Sequence, residues 1–108
     1  MTVRRRSPAL ALAMFTCAAL PVAAQPRGDR ALGEYLSSEC VTCHQISGRQ
    51  VGAVPAIVGL PEDAFVALMA SYKRRERDSQ IMQTIAGQLS EEEVAALAAY
   101  FGSLIPQR

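Results

Sequence analysis

The sequence predicts an all-α protein, and three observations support this fold class. Apolar residues recur at the three- and four-residue spacing of amphipathic helices in three segments of the chain. No stretch shows the alternation of apolar and polar residues that is typical of a half-buried strand. Glycines and prolines are concentrated between the first two helical segments, where they indicate a long loop. We therefore expect three main helices joined by loops.

The first predicted helix covers about residues 29–39 and leads directly into a pair of cysteines. Leu32, Tyr35 and Leu36 give it one apolar face. The second predicted helix begins at Pro61, because proline is favoured at the start of a helix. Its apolar face consists of Phe65, Leu68, Met69 and Tyr72.

The third predicted helix has a strong start and a strong stop. Ser90 followed by Glu93 is the capping-box pattern, in which each side chain accepts a hydrogen bond from the other residue's backbone. Pro106 ends the segment. One apolar stripe runs along it, formed by Val94, Leu97, Ala98, Phe101 and Leu104.

Residues 1–24 are predicted to be a cleaved signal peptide, which leaves residues 25–108 as one domain. Three arginines at positions 4–6 precede an apolar run over residues 9–20, and small residues follow up to Ala24. A membrane-spanning helix needs about 20 apolar residues, so this run is too short to be an anchor. Cys17 lies within the run, and we interpret it as a small apolar residue of the signal rather than a lipidation site. We expect export to the periplasm.

The charge of the predicted domain argues against nucleic-acid binding. Residues 25–108 contain eight basic and ten acidic residues, a net charge of −2. No basic stripe is interleaved with aromatic residues, as a nucleic-acid surface would require. Four basic residues do cluster at positions 73–77, and we interpret them as the solvated end of the second helix. A docking patch for an acidic partner is the alternative.

The chemistry of the chain is concentrated in residues 40–44, Cys-Val-Thr-Cys-His. This is the attachment pattern for c-type haem. Residues at i, i+3 and i+4 share one face of a helical turn, so Cys40 and Cys43 can bond the haem covalently while His44 reaches the iron. His44 is the only histidine of the chain, and no other cysteine follows the predicted signal peptide. We expect one haem c.

Two other functions could use the same residues, but the sequence lacks the further features that each of them requires. Thiol–disulfide exchange at a Cys-x-x-Cys pair normally accompanies a βαβ unit, and no strands are predicted here. A structural zinc site takes four ligands, whereas the predicted domain has only three cysteine and histidine side chains.

The residue on the other face of the iron decides between a carrier and a reactive haem. A second histidine is impossible, so the candidates are Met69, Met82, Lys73 or no residue at all. Met69 falls on the apolar face of the second helix, where core packing explains it. Met82 lies between the second and third predicted helices, and we expect it in a loop folded over the haem. His44 and Met82 are therefore the predicted iron ligands.

Four motifs in this order resemble class I cytochrome c. They are residues 40–44, residues 54–60, Met82 and residues 89–101. Within that class the chain is similar to single halves of dihaem bacterial cytochromes c and to the cytochrome subunit of flavocytochrome c sulfide dehydrogenases. The resemblance implies the cytochrome c fold, with helices and loops wrapped around one haem.

The resemblance also assigns roles to particular residues. It implies that the first and last helices cross at Gly33, with Tyr100 or Phe101 packed against it. It implies that the carbonyl of Pro55 accepts the ring N–H of the haem-bound histidine, so Pro55 joins the cofactor-binding residues. It assigns Met82 as the distal ligand. Gln45 departs from the family, in which glycine often follows the histidine.

The expected function is single-electron transfer between a redox-protein donor and acceptor, without catalysis by the chain itself. The acceptor role in a flavoprotein dehydrogenase that oxidises sulfide is a more specific expectation, taken from the resemblance. The alternative is a five-coordinate haem enzyme, or a sensor of peroxide or a small gas. That alternative requires Met82 to lie away from the iron.

Overall fold

The computed structural model describes residues 2–3, 9, 11–21 and 28–107. These residues form four helices, α1 (Arg30–Cys40), α2 (Glu62–Lys73), α3 (Gln80–Gln88) and α4 (Glu91–Ser103). Within the described ranges no strand occurs, and an isolated antiparallel bridge joins Val51 to Val54. The predicted all-α class is confirmed, with one helix more than the three that were expected.

The predicted signal peptide falls partly outside the described residues. Its expected cleavage point, after Ala24, lies in the undescribed range 22–27. Residues 11–21 are exposed and contain no helix. In the described part of the chain, no helix has the length and apolar character needed to cross a membrane. The signal peptide and the domain boundary at residue 25 stay predictions.

Two of the three predicted helices have a capping side chain at their start, and the second, predicted to begin at Pro61, begins one residue later at Glu62. Asp29 caps α1 because its carboxylate accepts the backbone N–H groups of Ala31 and Leu32, at 2.9 and 3.2 Å. At the start of α4, Ser90 Oγ accepts the N–H of Glu93 at 3.2 Å, and the Glu93 carboxylate accepts the N–H of Ser90 at 2.8 Å. The predicted capping box is therefore confirmed.

Helix α3 corrects the expectation that Met82 lies in a loop. Residues 80–88 are helical, and Met82 occupies the third position of that helix. Ser79 caps it, since its Oγ accepts the N–H of Met82 at 3.2 Å. A serine cap and apolar residues at positions 82, 85, 86 and 89 are helix signals, and the sequence contains both.

Helices α1 and α4 cross closely at Gly33. A Cβ atom at this position would collide with the carbonyl of Ala96, and it would lie 2.8 Å from Cβ of Tyr100. Glycine lets the two backbones approach because it has no side chain. The structure thus confirms the crossing at Gly33 and selects Tyr100 as the aromatic residue against it. Phe101 instead stacks on Phe65, with ring centroids 5.9 Å apart.

The core lies between α4 and the other helices. Phe101 and Leu97 of α4 are its largest fully buried side chains. Met69 of α2 is 7% exposed and belongs to this core, as its position on the helix predicts. The remaining buried members are Val58, Phe65, Ala86, Val94 and Ala98.

The long loop between α1 and α2 is attached to the C-terminal part of the chain. Gly59 donates its N–H to the carbonyl of Phe101 at 2.9 Å, and Gln107 donates to the carbonyl of Ser47 at 2.8 Å. Pro106 packs against Gly48 and Gly59, both of which have a φ of +79° that favours glycine. These contacts hold the loop on α4.

Replacing Gly33 with alanine should lower the free energy of unfolding by about 1–3 kcal/mol, because the added methyl group overpacks the crossing of α1 and α4. Urea denaturation of the purified protein measures this. Gly87→Ala is the matched control, since Gly87 lies in α3 and nothing stands within 4 Å of its Cβ position. The control should be neutral or stabilising by up to about 1 kcal/mol. Equal stability of the Gly33→Ala variant and the wild type would contradict the close crossing.

Candidate functional site

Three of the predicted site residues lie on one turn at the end of α1. Helix α1 ends at Cys40, and the carbonyl of Cys40 accepts the N–H of Cys43 at 3.2 Å and the N–H of His44 at 2.9 Å. This turn continues the direction of the helix beyond its last residue. Cys40, Cys43 and His44 therefore share one side of the turn, as their spacing predicts.

The two cysteines of this turn differ in their surroundings. Cys40 is half-buried, Cys43 is exposed, and both are free thiols. Burial raises the pKa of the Cys40 thiol, and the negative charge of Glu39 raises it further. Thiol–disulfide exchange relies on a cysteine whose pKa is lowered. The surroundings of Cys40 thus disfavour a redox dithiol.

The imidazole of His44 is buried and oriented by the backbone. The side chain is 8% exposed, and its Nδ1 lies 2.7 Å from the carbonyl oxygen of Pro55. A carbonyl can only accept, so Nδ1 carries the proton and donates. The lone pair of the neutral ring is then on Nε2, which is the atom available to a metal ion. This is the contact that the resemblance implied for Pro55.

A cavity of about 240 Å³ lies beside Cys40, between α1, α3 and α4. Leu36, Ile85, Leu89 and Leu97 give it apolar walls, and its lining is completed by Tyr35, Ser38 and Glu39. The cavity places a surface suited to a flat apolar group next to one of the two thiols.

Met82 lies on a different helix from the other predicted ligands. It is half-buried and packs against the core. Ile85 follows it by three residues on the same face of α3, and Leu89 is the C-cap residue just beyond the helix. Ile85 and Leu89 line the cavity beside Cys40, so the face of α3 that Ile85 shares with Met82 is directed toward that cavity, although Met82 is not one of its lining residues. Ile85 and Leu89 were not predicted as site residues.

The remaining candidate ligands lie elsewhere. Met69 is in the core, and Lys73 Nζ donates to the carbonyl of Leu89 at 2.7 Å. A larger groove of about 790 Å³ between α2 and α4 contains none of the predicted cofactor-binding residues. Its size therefore does not identify the functional site, which is better located by the donor atoms of residues 40–44.

The residues of the site fit a covalently bound haem. Two free thiols, an imidazole whose Nε2 can bind iron, and an apolar cavity beside one thiol meet at the end of α1. A methionine thioether on the facing helix adds an iron donor of the kind found in cytochromes. No other described residues combine these features.

Comparisons with known proteins support the same identification. The family model described as "Cytochrome c" matches residues 31–104. The chain is 32% identical to the "Cytochrome subunit of sulfide dehydrogenase" of Chlorobaculum tepidum, over 67% of this chain and 66% of that protein. It is 30% identical to "Cytochrome c-554(548)" of Halomonas halodenitrificans, over 70% of this chain and 96% of that protein.

A third relative belongs to sulfur metabolism by its name. The chain is 31% identical to the "Thiosulfate dehydrogenase electron acceptor" of Thiomonas intermedia, over 65% of this chain and 33% of that protein. The alignments therefore span just under two thirds of the sulfide dehydrogenase subunit and one third of the thiosulfate dehydrogenase acceptor.

The proton on Nδ1 of His44 should exchange with solvent at least about tenfold more slowly than an exposed side-chain amide, because it is buried and hydrogen-bonded to Pro55. Nuclear magnetic resonance of the reduced protein after transfer to deuterium oxide measures this. The exposed amide of Gln45 is the internal reference. A ring proton that exchanges as fast as the Gln45 amide would contradict the hydrogen bond.

Proposed function

This chain belongs to the cytochrome c family, and from that premise we propose that it is a periplasmic carrier of single electrons with one haem c. Membership of the family makes it an electron-transfer protein with covalently bound haem c. The proposal adds that Cys40 and Cys43 form the covalent bonds, and that His44 and Met82 ligate the iron. When bound, the haem supplies one-electron chemistry at iron.

The observation that carries the proposal is the orientation of His44 on the turn that holds both thiols. The Pro55 carbonyl fixes the tautomer in which Nε2 is free to bind iron. A hydrogen-bonded Nδ1–H also shifts electron density toward Nε2, the nitrogen that would donate to iron. The loop that carries Pro55 is held on α4 through Gly59 and Phe101. His44 is therefore preorganised.

Met82 supports the role of carrier. His44 and the Met82 thioether would together hold the iron, and little rearrangement would then accompany the gain or loss of an electron. Methionine together with histidine also raises the reduction potential. The alternative, an open iron site for peroxide or gas, requires Met82 to leave the iron.

The surface around residues 40–44, at the end of α1, suits brief contact with a redox partner. Cys43 is exposed, and the neighbouring apolar side chains of Val41 and Ile46 are 37% and 50% exposed. Small apolar patches of this kind occur at transient interfaces between electron-transfer proteins. Electron transfer requires only that the partner protein approach this surface closely.

A dehydrogenase of inorganic sulfur compounds is the proposed donor. Two relatives are named as the cytochrome subunit of sulfide dehydrogenase and the electron acceptor of thiosulfate dehydrogenase. The alignments leave a third or more of each of these proteins unmatched. The role proposed for this chain is therefore that of the haem-containing electron acceptor alone. The oxidation of the sulfur compound is assigned to the partner.

Replacing Met82 with alanine should abolish the weak methionine-to-ferric-iron absorption band and yield a high-spin ferric haem. The absorption spectra of oxidised and reduced protein, matured through the export and haem-attachment pathway, measure this. Met69→Leu is the control, because Met69 is a core residue and this volume-conserving change should cost less than about 1.5 kcal/mol. A band that survives in Met82→Ala, or is absent from the wild type, would favour the open-site alternative.

Replacing both Cys40 and Cys43 with serine should leave no haem attached after denaturation, whereas Cys17→Ser should leave attachment unchanged. Intact mass spectrometry measures this. In the wild type it should give the mass of residues 25–108 plus one haem, which also tests the predicted cleavage after Ala24. A second haem, covalent haem in the double serine variant, or retention of residues 1–24 would each contradict part of the proposal.

A further inference from the structure

Helix α3, which carries Met82, is short and has backbone contacts with only one of the other described helices. It contains nine residues, and isolated helices shorter than about 12–15 residues are marginal in water. Among the described helices, its backbone lies close to that of α2 but not to those of α1 or α4. The position of α3 therefore depends on its core-facing side chains and on the contacts at its two ends.

The N-terminal end of α3 is held by its own neighbours in sequence. Ser79 Oγ accepts the N–H of Met82 at 3.2 Å. The side-chain amide of Gln83 donates to the carbonyl of Arg77 at 2.9 Å. These two contacts fix the start of the helix against the turn that precedes it.

The C-terminal end of α3 is held from another helix. The last turn of α3 contains no basic residue, although the last carbonyls of a helix lack backbone partners and favour a positive charge. Lys73, the last residue of α2, meets this need because its Nζ donates to the carbonyl of Leu89 at 2.7 Å. Leu89 is the C-cap residue that follows Gln88, the last residue of α3. One ammonium group thus lies at the C-terminal ends of both α2 and α3.

Leu89 connects this contact with the functional site. Its side chain lines the cavity beside Cys40 together with Ile85, which shares a face of α3 with Met82. Ser90, the next residue, caps α4. The bond from Lys73 therefore fixes the junction between α3 and α4, and with it the C-terminal end of α3, whose third residue is Met82.

We propose that Lys73 is a positioning residue for Met82, whose ammonium group holds α3 so that the methionine stays on the iron in competition with added ligands. This inference rests on the proposed ligation of iron by Met82. Lys73 is the only lysine of the chain, and its contact with Leu89 spans sixteen residues of sequence.

The test is the affinity of added imidazole for the oxidised haem-loaded protein, followed by loss of the methionine-to-iron band. In Lys73→Met the affinity should rise about fivefold, as expected from loss of one net hydrogen bond that holds Met82 in place. Lys73→Arg should stay within about twofold of the wild type, because a guanidinium can also donate to the single carbonyl of Leu89. Arg74→Met is the matched control, since Arg74 is an adjacent exposed cation paired with Glu76.

Each other outcome has a definite meaning. If Lys73→Met binds imidazole as the wild type does, the inference is wrong while the ligation by Met82 stands. If Arg74→Met raises the affinity as much as Lys73→Met, loss of charge at the end of α2 is sufficient and the specific bond to Leu89 is not required, which also overturns the inference. If the wild type lacks the methionine band, the proposed ligation fails and this inference fails with it.

Discussion

The close contact between Gly33 and the backbone of Ala96 determines where the functional site can form. It brings α1 and α4 together along their small residues, and α1 then ends seven residues later at Cys40, beside the Leu97 side chain of α4. The loop after α1 is also attached to α4, through Gly59 and Phe101, and it returns Pro55 to His44. The thiols, the imidazole and the carbonyl that orients it are thus all positioned relative to one helix.

Met82 is positioned in a different way. Its helix is supported at its ends and by α2, and α2 in turn packs on α4 through Phe65 and Phe101. The two proposed iron ligands are therefore held by separate parts of the fold. The histidine side depends on the backbone and on buried packing, whereas the methionine side depends partly on exposed polar contacts such as that of Lys73. The contacts on the methionine side are the easier of the two to disrupt without unfolding the protein.

Much of this arrangement is predictable from sequence because it is local. Asp29, Pro61 and Ser90 mark the helix starts, and the spacing of residues 40–44 places three functional side chains on one turn. Helix α3 was missed because Met82 was interpreted as part of a loop, although Ser79 and the apolar spacing indicate a helix. The contact from Lys73 to Leu89 could not be predicted in this way, because it depends on how two helices meet in space. The contact of His44 with Pro55 was expected from a family resemblance, not from spacing.

The acceptor for His44 is a main-chain carbonyl, and this limits how the site can vary among related sequences. A substitution at position 55 changes the side chain but keeps the carbonyl, so it does not remove the hydrogen-bond acceptor. The length of the hydrogen bond then depends on where the loop places this carbonyl. The packing of Pro106 on Gly48 and Gly59 and the bond from Gln107 to Ser47 are the contacts that hold this loop. Substitutions at residues 106 and 107 would therefore act at a distance, through this loop, on the orientation of the proposed iron ligand His44.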